Sequence, residues 1–222
     1  MKEYDPEEEP IYSIEDQDEP DPELPEDEEG EEEPERKPSP ISVLMKIMFS
    51  PVEGWKAMKR ARFSVEEVSS RCFYPLIALA AVSDVCKMFY EANVTFSDWA
   101  VDGLTTFITF FFGYFSVLLL GGLILPKKSR EVLRNDVGKQ YVMMNMSTLA
   151  IFWVLIQLMP MIEPALVFLP LWTIYLVIKG VRILRVPDDV KNSTAGYFCL
   201  LIIGLPLLWN WLFSDIILSS AL

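Results

Sequence analysis

Five long apolar runs dominate the last two thirds of this 222-residue chain. They cover residues 73–90, 103–125, 142–159, 165–181 and 197–218. Each has about the 17–25 residues that a helix needs to cross a bilayer. Because backbone polar groups find no water in lipid, each run is predicted to be a helix. The polar segments between the runs are too short to wrap five helices in a soluble core. The predicted fold class is therefore all-α, an integral membrane bundle of five transmembrane helices spanning residues 71–222.

The basic residues occur in alternate segments between the runs. Nine of the 19 lie before the first run and five between the second and third. Four more lie between the fourth and fifth, counting Lys179 at the end of the fourth run as snorkelling. The remaining one, Lys87, lies within the first run. Since cytoplasmic segments retain Lys and Arg, the N-terminus is predicted to be cytoplasmic and the C-terminus outside. This arrangement requires an odd number of spans, which agrees with five.

The acidic character of the chain comes from its N-terminal tail, residues 1–40. This tail contains 19 of the 32 acidic residues and eight of the 16 prolines. Its net charge is −16, whereas residues 41–222 carry +3. With so little apolar surface, the tail is predicted to be disordered. It either binds a basic protein partner or a divalent cation, or serves only as a solvated, repelling segment.

Between the tail and the first run, residues 41–70 are predicted to form amphipathic interfacial helices on the cytoplasmic side. The stretch SPVEGWKAMKRAR has a helix start, with Ser50 as cap, Pro51 in the first turn and Glu53 completing a capping box. Its apolar face packs either on lipid or on the cytoplasmic ends of the spans. Its basic face is expected to contact anionic head groups. The predicted membrane-interface residues are Trp55, Lys56, Lys59, Arg60 and Arg62.

Three charged residues are predicted to lie within or at the edge of the membrane. Asp84 and Lys87 are three residues apart in the first run, so they share a helical face. Asp102 lies just before the second run, on the same predicted outer side. Such a cluster is either an ion or solute site of a transporter or channel, or a structural ion pair. The polar residues Asn145, Gln157 and Asn210 are expected to hydrogen-bond between helices.

No residue pattern for catalysis is recognisable in the chain. It contains no histidine, and its three cysteines have no CxxC spacing. A zinc site, a Cys–His nucleophile and a Ser–His–Asp triad are therefore unsupported. We expect no enzyme activity, no cofactor or metal, and no nucleic-acid partner.

The stretch FSPVEGW before the first run, the sequence CFYP at its entry, the five spans and the cytoplasmic N-terminus together resemble the Yip domain family. The similarity covers roughly residues 40–215. It is closer to the prokaryotic branch, because MFSPVEGW and YVMMNMSTLAIFW replace the DLYGP-type and YGYS-type stretches of eukaryotic members. The resemblance implies a non-enzymatic protein of the prokaryotic inner membrane, one that organises membrane or recruits partners through its cytoplasmic face. Whether the chain forms a homo-oligomer is left open.

Overall fold

The computed structural model describes residues 37–90, 95–159, 168–182, 184 and 186–220. Within these ranges the chain is all-helical, with no strand. The predicted disordered tail, residues 1–40, lies almost entirely outside the described residues. Its disorder therefore stays a prediction.

The described part of the chain forms eight helices. They are α1 (Pro40–Phe49), α2 (Pro51–Ala61), α3 (Val65–Phe89), α4 (Phe96–Ile124), α5 (Lys127–Arg134), α6 (Asp136–Leu158), α7 (Leu169–Val181) and α8 (Lys191–Ser220). Four of them, α3, α4, α6 and α8, are long and apolar enough to cross a membrane. The all-α fold and the multi-pass membrane character predicted from the sequence are thus confirmed.

The fourth predicted span, residues 165–181, corresponds to α7. This helix has 13 residues, or about 20 Å of length, against a hydrocarbon core of about 30 Å. The first three residues of the predicted span lie outside the described ranges. The count of five spans therefore stays a prediction, with four helices of full length described.

Helix α6 is the centre of the bundle, in contact with α3, α4, α7 and α8. In the most apolar stretch of α6, 61% of the residues are buried, against 28–33% in the corresponding stretches of the other three long helices. The prediction that Asn145 hydrogen-bonds to another helix is wrong, because Asn145 Nδ2 donates to Tyr141 O of the same helix at 2.8 Å. A side chain that reaches a carbonyl one turn back uses its amide N–H without a neighbouring helix, while the buried Asn145 Oδ1 has no hydrogen-bond partner in the described residues.

Helix α3 contains Pro75 in its interior. Proline lacks an N–H and clashes with the carbonyl four residues before it. A π-type turn over Ser69–Phe73 precedes it, in which Tyr74 N–H bonds to Ser69 O, five residues back. Such a turn inserts one extra residue into a helix, so α3 continues past the proline.

Helices α1 and α2 pack against each other as a hairpin that turns at Ser50. The Ser50 N–H donates to Lys46 O at 2.8 Å, while its carbonyl accepts from Gly54 N at 2.8 Å. The capping box predicted at Ser50 and Glu53 is wrong: Ser50 makes no side-chain cap bond, and the Glu53 carboxylate pairs with Lys56 at 2.9 Å. Because Ser50 N–H already closes α1, it is not available to the Glu53 side chain.

The hairpin closes at Gly54, where the two backbones meet. A Cβ at this position would overlap the backbone N and Cα of Ile47. Backbone atoms of a helix cannot yield as a flexible side chain can. We therefore expect Gly54→Ala to destabilise the protein by about 1–3 kcal/mol, measured as unfolding by sodium dodecyl sulfate in mixed micelles.

The matched control is Gly122→Ala, also within a helix, because a Cβ there meets nothing within 4 Å. This control is expected to be neutral or stabilising by up to about 1 kcal/mol, from the helix propensity of alanine. Equal stability of the two variants would contradict the close α1–α2 crossing.

The three basic segments lie together at one end of the bundle. Gln140, at the start of α6, donates to Phe63 O after α2 at 2.6 Å. Ser129 of α5 and Thr194 of α8 share a buried hydrogen bond of 2.7 Å. These contacts join the predicted cytoplasmic segments into a single surface, called here the basic end.

Candidate functional site

The Asp84 carboxylate is the most enclosed charge in the described part of the chain, with its side chain 0% exposed. Thr106 Oγ1 of α4 donates to Oδ2 at 2.7 Å, and Gln157 Nε2 of α6 donates to Oδ1 at 2.7 Å. Lys87 Nζ lies 3.6 Å from Oδ1. Both carboxylate oxygens are thus held by protein groups from three helices.

Lys87 connects Asp84 to Asp102. Its Nζ donates to Asp102 Oδ2 at 2.9 Å, and the Asp102 side chain is 48% exposed. The structure therefore brings together the three charged residues singled out from the sequence. The cluster runs from a buried carboxylate through one ammonium to an accessible carboxylate at the end opposite the basic end.

Two partners of Asp84 were not chosen from the sequence as part of this cluster. Thr106 is one of three threonines in a largely apolar helix, and Gln157 was expected only to hydrogen-bond between helices. Tyr90 OH adds to the group by donating to Gln157 O at 2.7 Å. The sequence signal for these partners was one polar residue in each of the two apolar runs that follow Asp84. No rule of sequence spacing predicts which polar residues of different helices meet.

A cavity of about 140 Å³ lies beside this cluster, between α4, α6 and α8. Thr106 and Asn210 border it. Within the described part of the chain, Asn210 does not make the expected hydrogen bond to another helix. Thr109 and Trp153 line the cavity as well, and Thr109 Oγ1 has no hydrogen-bond partner in the described structure. The rest of the lining is apolar, and no described contact links the cavity to Asp102.

The second candidate site is the hairpin at the basic end. Trp55 is only 1% exposed, and its ring centroid lies 5.2 Å from that of Tyr141. Its Nε1 donates to Leu176 O of α7 at 3.2 Å. A Cβ on Gly180 would meet both aromatic rings at 2.5–2.9 Å. Of the two alternatives for the apolar face of α2, packing on the protein's own helices is the one observed for Trp55.

The four basic residues predicted with Trp55 are all exposed. Lys56, Lys59 and Arg60 lie on the outer face of α2. Arg62 ends α2 in the left-handed conformation, with φ of 45°. The hairpin therefore presents four basic side chains to the surroundings while its tryptophan fixes it to the bundle.

No family model, curated protein or solved structure matches the chain. The resemblance to the Yip domain family accordingly stays a prediction.

Proposed function

We propose that the chain is a non-enzymatic, five-span membrane protein of the Yip-like kind, which organises membrane or recruits partners through a cytoplasmic surface. The observation that carries this proposal is the assembly of the basic end. One buried hydrogen bond there joins the segment after the hairpin to the start of α6, and another joins α5 to the start of α8, with exposed lysines and arginines around them. A fixed basic surface attracts anionic head groups or an acidic protein segment.

The proposed orientation places the basic end in the cytoplasm. With the three native cysteines replaced, single cysteines at Ser97 and Lys128 test it, since both positions are exposed and lie at opposite ends of α4 and its following segment. We expect an impermeant maleimide to label the Ser97→Cys protein in intact cells and the Lys128→Cys protein only after permeabilisation. The reverse pattern would overturn the orientation.

The basic face of α2 is expected to enrich anionic lipid around the protein. Each basic side chain near an anionic leaflet contributes about 1 kcal/mol, a factor of about five in relative affinity. In vesicles of phosphatidylcholine and phosphatidylglycerol, replacing Lys56, Lys59 and Arg60 by glutamine should lower the preference for spin-labelled phosphatidylglycerol. Electron paramagnetic resonance of the motionally restricted lipid measures this preference.

The matched control replaces Lys56 and Lys59 by arginine, which retains the charge. This protein should keep the preference of the original chain. If the glutamine variant keeps it too, the basic face does not bind anionic lipid, and the proposal is left with protein recruitment. Crosslinking with and without residues 1–40 then tests whether the acidic tail or the basic segments hold a partner.

A small ion or solute transporter or channel is the second candidate, because Asp84, Lys87 and Asp102 do come together. Two features favour a structural role for the cluster instead. Thr106 and Gln157 occupy both Asp84 oxygens, and the nearby cavity is lined mainly by apolar side chains. Variants of Asp84 separate the two functions, as described in the Discussion.

A further inference from the structure

The sequence leaves the apolar face of α2 to lipid or to the protein's own helices, and the structure packs its Trp55 on those helices. Trp55 is 1% exposed and Met58 is 2% exposed. A different apolar edge of the hairpin is left uncovered. It comprises Ile41, Met45 and Phe49 of α1 and Val52 of α2, which are 42–79% exposed.

These side chains form one stripe. Residues 41, 45 and 49 are four apart, so they lie along one side of α1. Phe49 and Val52 flank the turn between the two helices, and Phe49 is the most exposed of the four at 79%. Exposed charged residues border this stripe. Lys46 directly follows Met45, and Lys56, which pairs with Glu53, lies four residues after Val52 on the same side of α2. The hairpin therefore has an apolar edge with charged side chains next to it.

The side of α7 that adjoins the hairpin tip has the residues of a membrane interface. Trp172 Nε1 donates to Met48 O at 3.1 Å, which places this ring beside the residue preceding Phe49. Trp172 packs on Tyr175, with ring centroids 5.0 Å apart. Lys179 Nζ lies 5.2 Å from the Tyr175 centroid. Half-exposed tryptophan and tyrosine with a neighbouring lysine are typical of the boundary between head groups and acyl chains.

We propose that the α1 edge of the hairpin inserts into the acyl region of the cytoplasmic leaflet, with Phe49 as its deepest side chain. The occupant of this surface is lipid, because the apolar edge continues the interfacial aromatic pair of α7. The exposed lysines beside this edge, Lys46 and Lys56, complement anionic head groups at the same level. The inference rests on the proposed membrane-organising function and adds to it the inserting element.

Insertion from one side would expand a single leaflet. Amphipathic segments that place large apolar side chains at the acyl boundary bind more strongly where lipid packing is loose. The hairpin is fixed to the bundle through Trp55 and Trp172. Its insertion would therefore be coupled to the position of α7, and the protein would favour curved or loosely packed membrane.

Depth measurements on the full chain test this inference. With the native cysteines replaced, the environment-sensitive dye nitrobenzoxadiazole is attached to single cysteines at Phe49, Lys59 and Leu119 in phosphatidylcholine–phosphatidylglycerol vesicles. Lys59 serves as the water reference, and Leu119, which is 67% exposed on α4, serves as the hydrocarbon reference. Nitroxides on acyl chains should quench position 49 as strongly as position 119, whereas iodide should quench only position 59.

Two outcomes would overturn the inference. Quenching of position 49 by iodide would place the edge in water, and protection from both quenchers would show that a second copy or another protein covers it. The basic-face measurement distinguishes this failure from failure of the proposed function. If position 49 is in water while the glutamine variant still loses its preference for anionic lipid, the membrane-binding function stands without insertion.

Discussion

Asp84→Ala is expected to lower the free energy of unfolding by about 3–5 kcal/mol, the usual cost of removing one member of a buried charge pair. The substitution leaves Gln157 Nε2 without the acceptor that lies 2.7 Å away, and it removes the Oδ2 atom that accepts from Thr106. It also removes one of the two carboxylates beside Lys87. Unfolding in mixed micelles and the amount of protein in the membrane both measure the loss.

Asp84→Asn is the matched control for shape. Its carboxamide oxygen accepts one hydrogen bond, and its NH₂ donates to the Thr106 hydroxyl, which accepts as readily as it donates. We expect this variant to lose only about 1–2 kcal/mol, because few groups remain unpaired. Combining Asp84→Asn with Lys87→Met completes a double-mutant cycle that isolates the pair energy.

The same variants decide between the structural and the transport functions of the cluster. If Asp84→Asn and Lys87→Met only reduce the amount of protein, the cluster is structural. If each variant abolishes the cellular phenotype while the amount of protein in the membrane stays normal, the result supports the transporter or channel hypothesis and contradicts the organiser hypothesis. Because Asp84→Asn is expected to cost only moderate stability, enough of this variant should remain in the membrane for a loss of phenotype to be measured.

Much of the fold could be predicted because lipid imposes a length and a polarity on each span. The helices α4, α6 and α8 agree with their predicted runs, and each begins several residues earlier, where polar residues suit the first turn. Thr95, for example, caps α4 through a reciprocal box with Asp98. The short α7 was harder to predict, because hydropathy records the composition of a run but not the residue at which its helix begins.

The hairpin shows why an amphipathic pattern has an ambiguous outcome. Lipid and the interior of a bundle are both apolar, so the face of α2 that contains Trp55 fits either environment equally well. The decision depends on residues far along the chain, namely Tyr141, Leu176 and Gly180, which together form the pocket for this tryptophan. No local pattern at residues 50–62 contains that information.

The partners of Asp84 were unpredictable for a related reason. The spacing of Asp84 and Lys87 specifies one helical face within a single helix. The choice of Thr106 and Gln157 depends on how α3 crosses α4 and α6, which is a property of tertiary packing. Polar residues in apolar runs therefore predict a buried hydrogen-bond network but not which residues bond to each other in it.

Trp55→Ala is expected to destabilise the docked hairpin by about 3–5 kcal/mol, as for other large aromatic side chains truncated in a core. The indole is 1% exposed and fills the space that Gly180 leaves beside Tyr141. Its loss opens a cavity between α2 and α7 and removes the hydrogen bond to Leu176 O. We expect the hairpin to detach while the long helices stay folded, because Trp55 contacts neither α4 nor α8 in the described hydrogen bonds and ring pairs.

Limited proteolysis of the reconstituted protein measures this detachment, as faster cleavage after Lys56 and Lys59. Trp55→Phe retains a ring against Tyr141 and loses the N–H, so a cost of about 1 kcal/mol is expected. Trp211→Ala is the matched control, since this tryptophan is 64% exposed and its truncation leaves no cavity. Cleavage at the rate of the original chain in Trp55→Ala would show that other contacts, such as that between Trp172 and Met48, hold the hairpin without it.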